Sequence, residues 1–432
     1  VDPADYEDVI NNECTNVMKA LYGRKAFSHV MEYDVHISNY FNKYLGNMNS
    51  NSRVYNKSIN LKYGSNPHQP DALISTINNN PNPFTVLNGT AGYINMLDAI
   101  YSWMLVKEIS EAIDRPTTAS FKHTAPAGVG TSRELSSLLK QVYGVEDKEL
   151  TPVATSFVRA RNADPMSSFG DFLAISDTVD ACTANLIKRE VSDGIVAPDY
   201  TPEALEILKQ KRGGKYLVLQ VDRNYINNEK IEYRELFGVA ISQNVNNYKV
   251  DKNNIGKIVT KNQDILNSEL VDNLVIANLC LKYTQSNNVS FSYDGQLIGL
   301  GAGQQNRVDC VRLAGDRARL WWLRQHPKVL KLNKLFKSEI KRQEKVNAII
   351  RYIQDDFTEI EYNDWVNQFT TEPEKLTLQE KNEFLENNSE CCLASDGFFP
   401  FRDNIDVASK YKVKNIIQPG GSNMDNVVIE TC

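Results

Sequence analysis

Apolar positions along this chain recur with two different periods. From Ala26 to Tyr44 the residues Phe27, Val30, Val35, Ile37, Tyr40, Phe41 and Tyr44 fall at roughly helical spacing, which predicts a helix packed on the body of the protein. Phe84–Gly89 reads as a strand ending in a turn. Asn95–Ile113, with Met96, Leu97, Ile100, Met104, Leu105 and Ile109, reads as an amphipathic helix, and Thr117–Phe121 as a short buried strand. Pro126 and Gly128 are expected to break any regular continuation of that strand. The order strand, helix, strand marks an α/β layer structure. Helices are predicted at Arg133–Tyr143, at Val179–Arg189 and after Thr201-Pro202, where a cap and a first-turn proline coincide. Strands are predicted at Ser192–Pro198 and Tyr216–Val221.

The second half repeats the alternation. Glu269–Tyr283 is helical, and strands Val289–Tyr293 and Leu297–Leu300 flank Asp294-Gly295, a hairpin signal. A long helix then runs through Trp321-Trp322, and the chain closes as strand Val413–Ile417, a glycine turn and strand Val427–Ile429. The halves look like related α/β lobes without a residue-by-residue repeat. Between these elements, Val1–Lys19 reads as a linker or lead-in helix, Gly46–Lys57 as a mobile loop and Asn224–Asn254 as a polar bridge. Lys328–Ile360 reads as a basic helical stretch with a solvated face.

Composition narrows the class without naming a function. At 432 residues two or three domains are expected, and 41% apolar with 24% charged residues is the balance of an ordinary soluble protein. A net charge of −6 gives no global pull toward nucleic acid, so an anionic ligand needs local cations. No apolar run is long enough to span a bilayer, and the first residues do not form a signal peptide, so a cytosolic protein is expected. Seven cysteines with no C-x-x-C argue for free thiols and against a disulfide framework or a cysteine-rich zinc site.

Chemistry concentrates in a few turns. Lys122-His123 places a cation beside an imidazole at a strand end, where a rigid sheet presents groups to a loop. Such a pair can move a proton near neutral pH and hold developing negative charge. The alternative is a surface lysine beside a hydrogen-bonded histidine. Leu61–Gln69 is a polar turn. Gly299-x-Gly301-x-Gly303 lacks dinucleotide spacing but stands before a helix, where backbone N–H groups can meet an anion. Phe398-Phe399-Pro400-Phe401 is either core or the wall of a pocket for a flat aromatic ligand, with Arg402 or Asp403 reading its polar edges. Asp164, Asp171, Asp193 and Asp403 show no metal spacing and suit turns and caps. No G-x-S-x-G occurs, and no cysteine shares a motif with a histidine.

Taken together, these turns resemble the transformylase domain of the AICAR transformylase/IMP cyclohydrolase family of bifunctional purine-biosynthesis enzymes. The resemblance rests on Lys62-Tyr63-Gly64 with Asn66–Gln69, Leu87–Gly89 with Ile94-Asn95, Ser120–Gly128, Met166–Phe172 and Glu190–Pro198. It continues through Lys282–Asn287, Gly299–Arg307, Arg312–Trp322 and Phe398–Asn404. These motifs run in order from about residue 55 to 432, and Val1–Tyr6 resembles the last stretch of the cyclohydrolase domain, whose catalytic body is not in this chain.

The resemblance implies an α/β fold of two cytidine-deaminase-like α/β/α lobes in an intertwined homodimer, with active sites at the subunit interface. It implies residues 1–55 as linker and lead-in helix, 56–230 as the first lobe with 325–388 returning to it, and 231–324 with 389–432 as the second. The implied reaction moves a formyl group from 10-formyltetrahydrofolate to the 5-amino group of AICAR, with cyclohydrolase activity only if an upstream domain exists. The other readings are a non-catalytic nucleotide- or folate-binding relative and a zinc deaminase, the latter disfavoured by the missing H-x-E and P-C-x-x-C signatures.

By resemblance His123 is the proton shuttle, Lys122 assists it and Asn287 donates to the formyl oxygen. Lys62, Tyr63, His68, Asn95, Gly170 and Asp193 stand on the AICAR side. Arg307, Phe398, Phe401, Asp403 and Asn404 stand on the folate side. Thr284, Ser286 and Asp396 match a monovalent-cation (K+) site of some relatives, and no zinc, nucleic acid or membrane partner is implied. Asn306 replaces a usual serine and Asn288 a usual small residue. A phosphate-binding tail of relatives lies beyond the position matching Cys432.

Overall fold

The computed structural model describes residues 2–45, 52–261 and 267–432. They form two compact units, Val1–Pro83 and Phe84–Cys432.

In the first unit α1 spans Tyr6–Asn11, α2 Asn16–Leu45, β1 Tyr55–Asn60 and β2 Leu73–Ile77. α2 contains the predicted helix and extends it by ten residues toward the N-terminus. None of its residues is buried, so its apolar stripe is a surface feature and not the core contact its spacing suggested. Of the expected loop Gly46–Lys57, residues 46–51 lie outside the described residues. Tyr55–Lys57 is instead strand, paired antiparallel from Tyr55 opposite Ile77. The polar turn Leu61–Gln69 connects β1 to β2 as expected.

The second unit opens with β3 (Phe84–Asn88), α3 (Tyr93–Ile113), β4 (Thr117–Lys122) and β5 (Ala125–Thr131). Next come α4 (Ser137–Tyr143), α5 (Pro152–Ala163), β6 (Asp171–Ile175), α6 (Ala181–Lys188), β7 (Ser192–Ala197), α7 (Pro202–Lys209) and β8 (Leu217–Val221). A separate hairpin follows, β9 (Ile231–Leu236) with β10 (Val239–Asn244), and then α8 (Ser268–Lys282), β11 (Asn288–Tyr293), β12 (Gln296–Ala302) and α9 (Arg307–Leu323). The chain ends with α10 (Pro327–Leu332), α11 (Arg342–Gln354), α12 (Glu359–Val366), α13 (Leu378–Asn388), β13 (Cys391–Ser395), α14 (Asp403–Ser409), β14 (Val413–Ile417) and α15 (Asp425–Thr431).

Among the described residues ten strands form one mixed sheet, in the order β14-β13-β11-β12-β5-β4-β6-β7-β8-β3. Its two sides carry the same plan. A hairpin (β4–β5 or β11–β12) meets its partner's central strand side by side, and the next strand (β6 or β13) joins antiparallel before a parallel neighbour (β7 or β14). A helix precedes each hairpin, α3 or α8, and another follows it, α5 or α9. The sides meet along β5 and β12, whose ladder is confined to Gln296 opposite Gly130.

Strand direction then decides where chemistry collects. β4, β12, β13 and β3 end at the edge where β5, β6, β7 and β11 begin, because antiparallel neighbours reverse and parallel ones do not. That edge carries Lys122-His123, Gly170, Asp193, Asn287, Arg307 and the loop after β13. The Gln296–Gly130 pairing sits toward the opposite edge.

Glycine on both central strands lets the covering helices approach. A Cβ on Gly128 would stand 2.1 Å from the Ala160 carbonyl of α5, and one on Gly301 would stand 2.1 Å from the Cys310 carbonyl of α9. The Gly299-x-Gly301 motif is thus strand packed under a helix, not an anion loop. The core that results holds Phe121, Phe172, Phe291, Trp321 and Phe399, and the strand interiors Phe172–Ile175 and Ile195–Ala197 are apolar without alternation, as expected of strands covered on both faces.

Five local readings need correction. Residues Ala125–Thr131 continue as strand: Pro126 sits opposite Phe121 at a register shift, on the side where β5 and β12 are unladdered, so its missing N–H costs no ladder bond. The helix expected from Arg133 begins only at Ser137, capped by Ser136, whose hydroxyl accepts from Leu139 N. The polar bridge contains the β9–β10 hairpin, turning at Phe237-Gly238 with positive φ at both. The final apolar triplet Val427–Ile429 is helical in α15, since three apolar residues fit either period and only Val428 is buried. The basic stretch after Lys328 is divided among three short helices, one of which, α11, buries Ala348, Ile350, Tyr352 and Ile353.

Candidate functional site

The sheet edge defined above holds two clusters. The first is built on the ends of β4, β6 and β7 and the start of α3. β4 is buried until its last residue, and Lys122 emerges half-buried with Nζ donating to the Phe169 carbonyl at 2.6 Å. His123 follows, exposed, in a two-residue turn between Lys122 and its strand partner Ala125. Both turn residues have left-handed backbone, φ 54° at His123 and 61° at Thr124. Asp294-Gly295, the matching turn of the other hairpin, has the residues such a turn prefers; His123-Thr124 does not.

Asp98, on the second turn of α3, accepts the Thr124 N–H at 2.7 Å and interacts with the His123 N–H. Burial pushes its carboxyl up to about 6, against the opposing pull of the Thr124 hydrogen bond and the His123 charge. Asn95, one turn earlier, accepts the Gly92 N–H at 3.3 Å and so caps α3. Gly170 stands in the left-handed region at φ 75° with no atom within 4 Å of where a Cβ would be, which leaves open space above the loop. Asp193 pairs with Arg212 at 2.9 Å.

Beneath these groups lies a buried charged network. Asp171 is fully buried and accepts the Ser120 hydroxyl at 2.6 Å, with Arg161 at 3.7 Å. Burial raises the Asp171 carboxyl and lowers the Lys211 ammonium, whose Nζ donates to the Glu190 carbonyl at 2.6 Å. The network ties β4, β6 and β7 together one residue below the edge, so Lys122, Gly170 and Asp193 are held from underneath.

The second cluster is built on β11, β13 and the start of α9. Asn287 Oδ1 accepts from Arg307 Nη2 at 2.8 Å, and its Nδ2 donates to the Gln304 carbonyl at 3.0 Å and the Gln305 carbonyl at 3.4 Å. Arg307 also donates to Asp396 and to Ser395 Oγ, the latter at 3.0 Å. Asn306 caps α9 by accepting the Asp309 N–H at 2.8 Å, the role a serine would fill. Buried Asn288 donates to the Leu281 and Thr284 carbonyls.

The aromatic loop after β13 divides. Phe399 is core, whereas Phe398 and Phe401 are exposed beside the same edge. Arg402 pairs with Asp406, while Asn404 donates to Asp403 at 2.8 Å and keeps a buried, unpartnered Oδ1.

The presumed cation ligands are already engaged. Asp396 is taken by Arg307 and the Ser286 hydroxyl, and Thr284 donates to the Cys280 carbonyl at 2.7 Å. Arg307 thus already neutralises the Asp396 carboxylate. Among the described residues no group of three or more His, Cys, Asp or Glu is placed to hold a metal.

Lys62, Tyr63 and His68 belong to the first unit, in the turn between β1 and β2. Lys62 Nζ lies 5.6 Å from the Tyr63 ring centroid, the turn is closed by Gly64 N donating to the Gln69 carbonyl at 2.8 Å, and His68 is exposed. A cavity of about 510 Å³ lined by Tyr143, Arg324, Arg342, Lys345 and Ile349 contains none of the expected site residues.

The two clusters share an edge but are not adjacent. β4 and β11 are separated by β5 and β12, so the His123 turn at the end of β4 and Asn287 at the start of β11 stand roughly two to three strand spacings of about 4.8 Å apart within one chain. Sequence reasoning missed Asp98, Arg212 and the Asp171 network. An acid three residues after Asn95, among the apolar Met96, Leu97, Ala99 and Ile100, was the available signal for Asp98.

Comparison with known proteins gives one family. The family described as AICARFT/IMPCHase bienzyme matches residues 1–317. The chain is 26% identical over 444 residues to the bifunctional purine biosynthesis protein PurH of Ruminiclostridium cellulolyticum, covering 100% of this chain and 69% of that protein. It is 27% identical over 435 residues to that of Leuconostoc mesenteroides, covering 98% and 67%. For the PurH of Prochlorococcus marinus the figures are 28% over 444 residues, 100% and 69%.

Proposed function

Since this chain belongs to the AICARFT/IMPCHase bienzyme family, we propose that it transfers the formyl group of 10-formyltetrahydrofolate to the 5-amino group of AICAR, giving FAICAR and tetrahydrofolate in purine biosynthesis. The observation that carries this reading is the Lys122-His123 turn, raised at a sheet edge over Gly170 and Asp193, with an arginine-held Asn287 on the same edge.

The chemistry demands such groups. The AICAR amine is conjugated with its ring and carboxamide and is a reluctant nucleophile. As it attacks the formyl carbon, a new N–C bond forms and the carbonyl oxygen gains negative charge. His123 takes the amine proton; Lys122 steadies the oxyanion or assists proton delivery. The bond from carbon to the folate N10 then breaks, and N10 leaves with the proton that His123 took from the amine. Asn287 Nδ2 has the hydrogen needed for the oxyanion if the substrate displaces its longer contact, to the Gln305 carbonyl. Exposed Phe398 and Phe401 offer faces for the flat pterin, with Arg307, Asp403 and Asn404 reading its edges. Lys62, Tyr63, His68 and Asn95 serve the AICAR side.

Two intervening strands within one chain favour an active site completed by a second copy, the first copy giving Lys122 and His123 and the other Asn287 and Arg307. The duplicated hairpin plan fits two cytidine-deaminase-like lobes, 56–230 with 325–388 and 231–324 with 389–432, in a cytosolic homodimer. IMP cyclohydrolase activity, closing FAICAR to IMP, is proposed only if an upstream cyclohydrolase domain exists.

The direct test supplies AICAR and 10-formyltetrahydrofolate to the full-length dimeric protein and follows tetrahydrofolate release. Turnover is expected. No turnover, with folate still bound, would favour a non-catalytic binding relative.

A further inference from the structure

The turn that presents His123 places a β-branched residue, Thr124, in a backbone conformation it rarely adopts. A two-residue hairpin turn with positive φ at both positions suits Asn-Gly or Asp-Gly, and a β-branched residue in the left-handed region is rare. Thr124 nonetheless adopts φ 61° directly after His123 at 54°. Such conformations persist only where the surroundings over-determine them, and they cluster at functional sites. Here the hairpin pairing of Lys122 with Ala125 and the Thr124 hydroxyl on the His123 carbonyl at 2.7 Å are joined by one side chain from another element. Asp98, 4% exposed, reaches from α3 to accept the Thr124 N–H at 2.7 Å and interacts with the His123 N–H.

We propose that Asp98 is a positioning residue for formyl transfer: its carboxylate holds the His123-Thr124 turn in the left-handed form that aims the imidazole, and its charge faces that imidazole. This inference rests on the formyl-transfer reading above. The chemical logic is that of a buried carboxylate orienting a histidine that shuttles protons, with the acid never exchanging a proton with substrate.

Stability gives an independent sign. The folded carboxyl is raised from 3.8 to about 6 by burial, with His123 and the Thr124 N–H opposing and Asp193, itself paired with Arg212, reinforcing. A raised acid destabilises the fold when ionised. The penalty is absent below the unfolded value, grows as pH rises and is complete above about 6.

The experiment compares Asp98→Asn and Asp98→Ala with the unaltered protein. Asp98→Ala should lower kcat by about 100-fold with KM for AICAR changed by less than about threefold, the loss typical of a misaimed group. It should also speed hydrogen exchange at the Thr124 amide. Asp98→Asn keeps an oxygen for that amide, so exchange there should remain slow. Its kcat should fall less, about tenfold, and its kcat–pH profile should lose the slope that Asp98 ionisation contributes near pH 6. Its melting temperature, relative to the unaltered protein, should be higher at pH 8 than at pH 5, because only the ionised acid carries the penalty.

Asp98→Ala with kcat within about threefold of the unaltered protein and unchanged Thr124 exchange would overturn the proposal. So would Asp98→Asn with an unaltered pH profile and full activity, the arm that decides if the alanine variant does not fold. Absence of transfer by the unaltered protein would instead sink the functional reading, and the exchange data would still report whether Asp98 holds the turn.

Discussion

Replacing His123 by alanine should lower formyl transfer by about 100- to 10,000-fold, the range for removing a positioned proton carrier, or about 3–5 kcal/mol of barrier. Folate binding should be nearly unchanged, because Phe398 and Phe401, proposed to face the pterin, belong to the other cluster of the edge. The side chain is exposed and its turn is held through backbone N–H groups by Asp98, so its removal should leave the fold intact. The measurement pairs transfer kinetics with a fluorescence titration of folate. Turnover within about tenfold of the unaltered protein would remove His123 from the proton path.

The second large effect is on stability. Gly301→Ala would place a methyl 2.1 Å from the Cys310 carbonyl and 2.9 Å from its Cα, and helix backbone cannot step aside as a side chain tip can. Overpacking of this kind costs about 1–3 kcal/mol and at times more, against a total of about 5–15 kcal/mol, so α9 must shift off β12 or the variant must fail to fold. Gly23→Ala is the control: it lies inside α2 with nothing within 4 Å, and replacing a mid-helix glycine should stabilise by about 0.5–1 kcal/mol. Urea unfolding of both variants should give shifts of opposite sign. Equal midpoints for Gly301→Ala and the unaltered protein would mean that the close approach of helix and strand is not a constraint.

Those glycines also show how far the chain could be read without its structure. The strands and helices around Thr117–Phe121, Glu269–Tyr283 and Val289–Leu300 were legible because each has a clean period, a capping residue or an Asp-Gly turn. Pro126 and the spaced glycines misled, since a proline at a register shift and a glycine under a helix look the same in sequence as a break or an anion loop. The helical Val427–Ile429 shows that three apolar residues contain too little period to choose between elements.

At the site, Lys122-His123 was legible as an unusual pair at a strand end. Its partners were not. Asp98 and Asp171 act through burial and through contacts with residues 26 and 51 positions away, which no local pattern encodes. The division of Phe398–Phe401 into one core and two exposed rings is likewise decided by the packing of β13, not by the run of aromatics.

The separation of His123 from Asn287 across four strands allows a decisive measurement. His123→Ala and Asn287→Ala chains, each inactive alone, are co-expressed with different tags and purified for both. If each active site joins His123 of one copy to Asn287 of the other, the mixed dimer contains one intact site of two and should recover about half of the unaltered activity. A mixed dimer as inactive as its parents would place both groups in one chain's site and contradict an active site completed by a second copy.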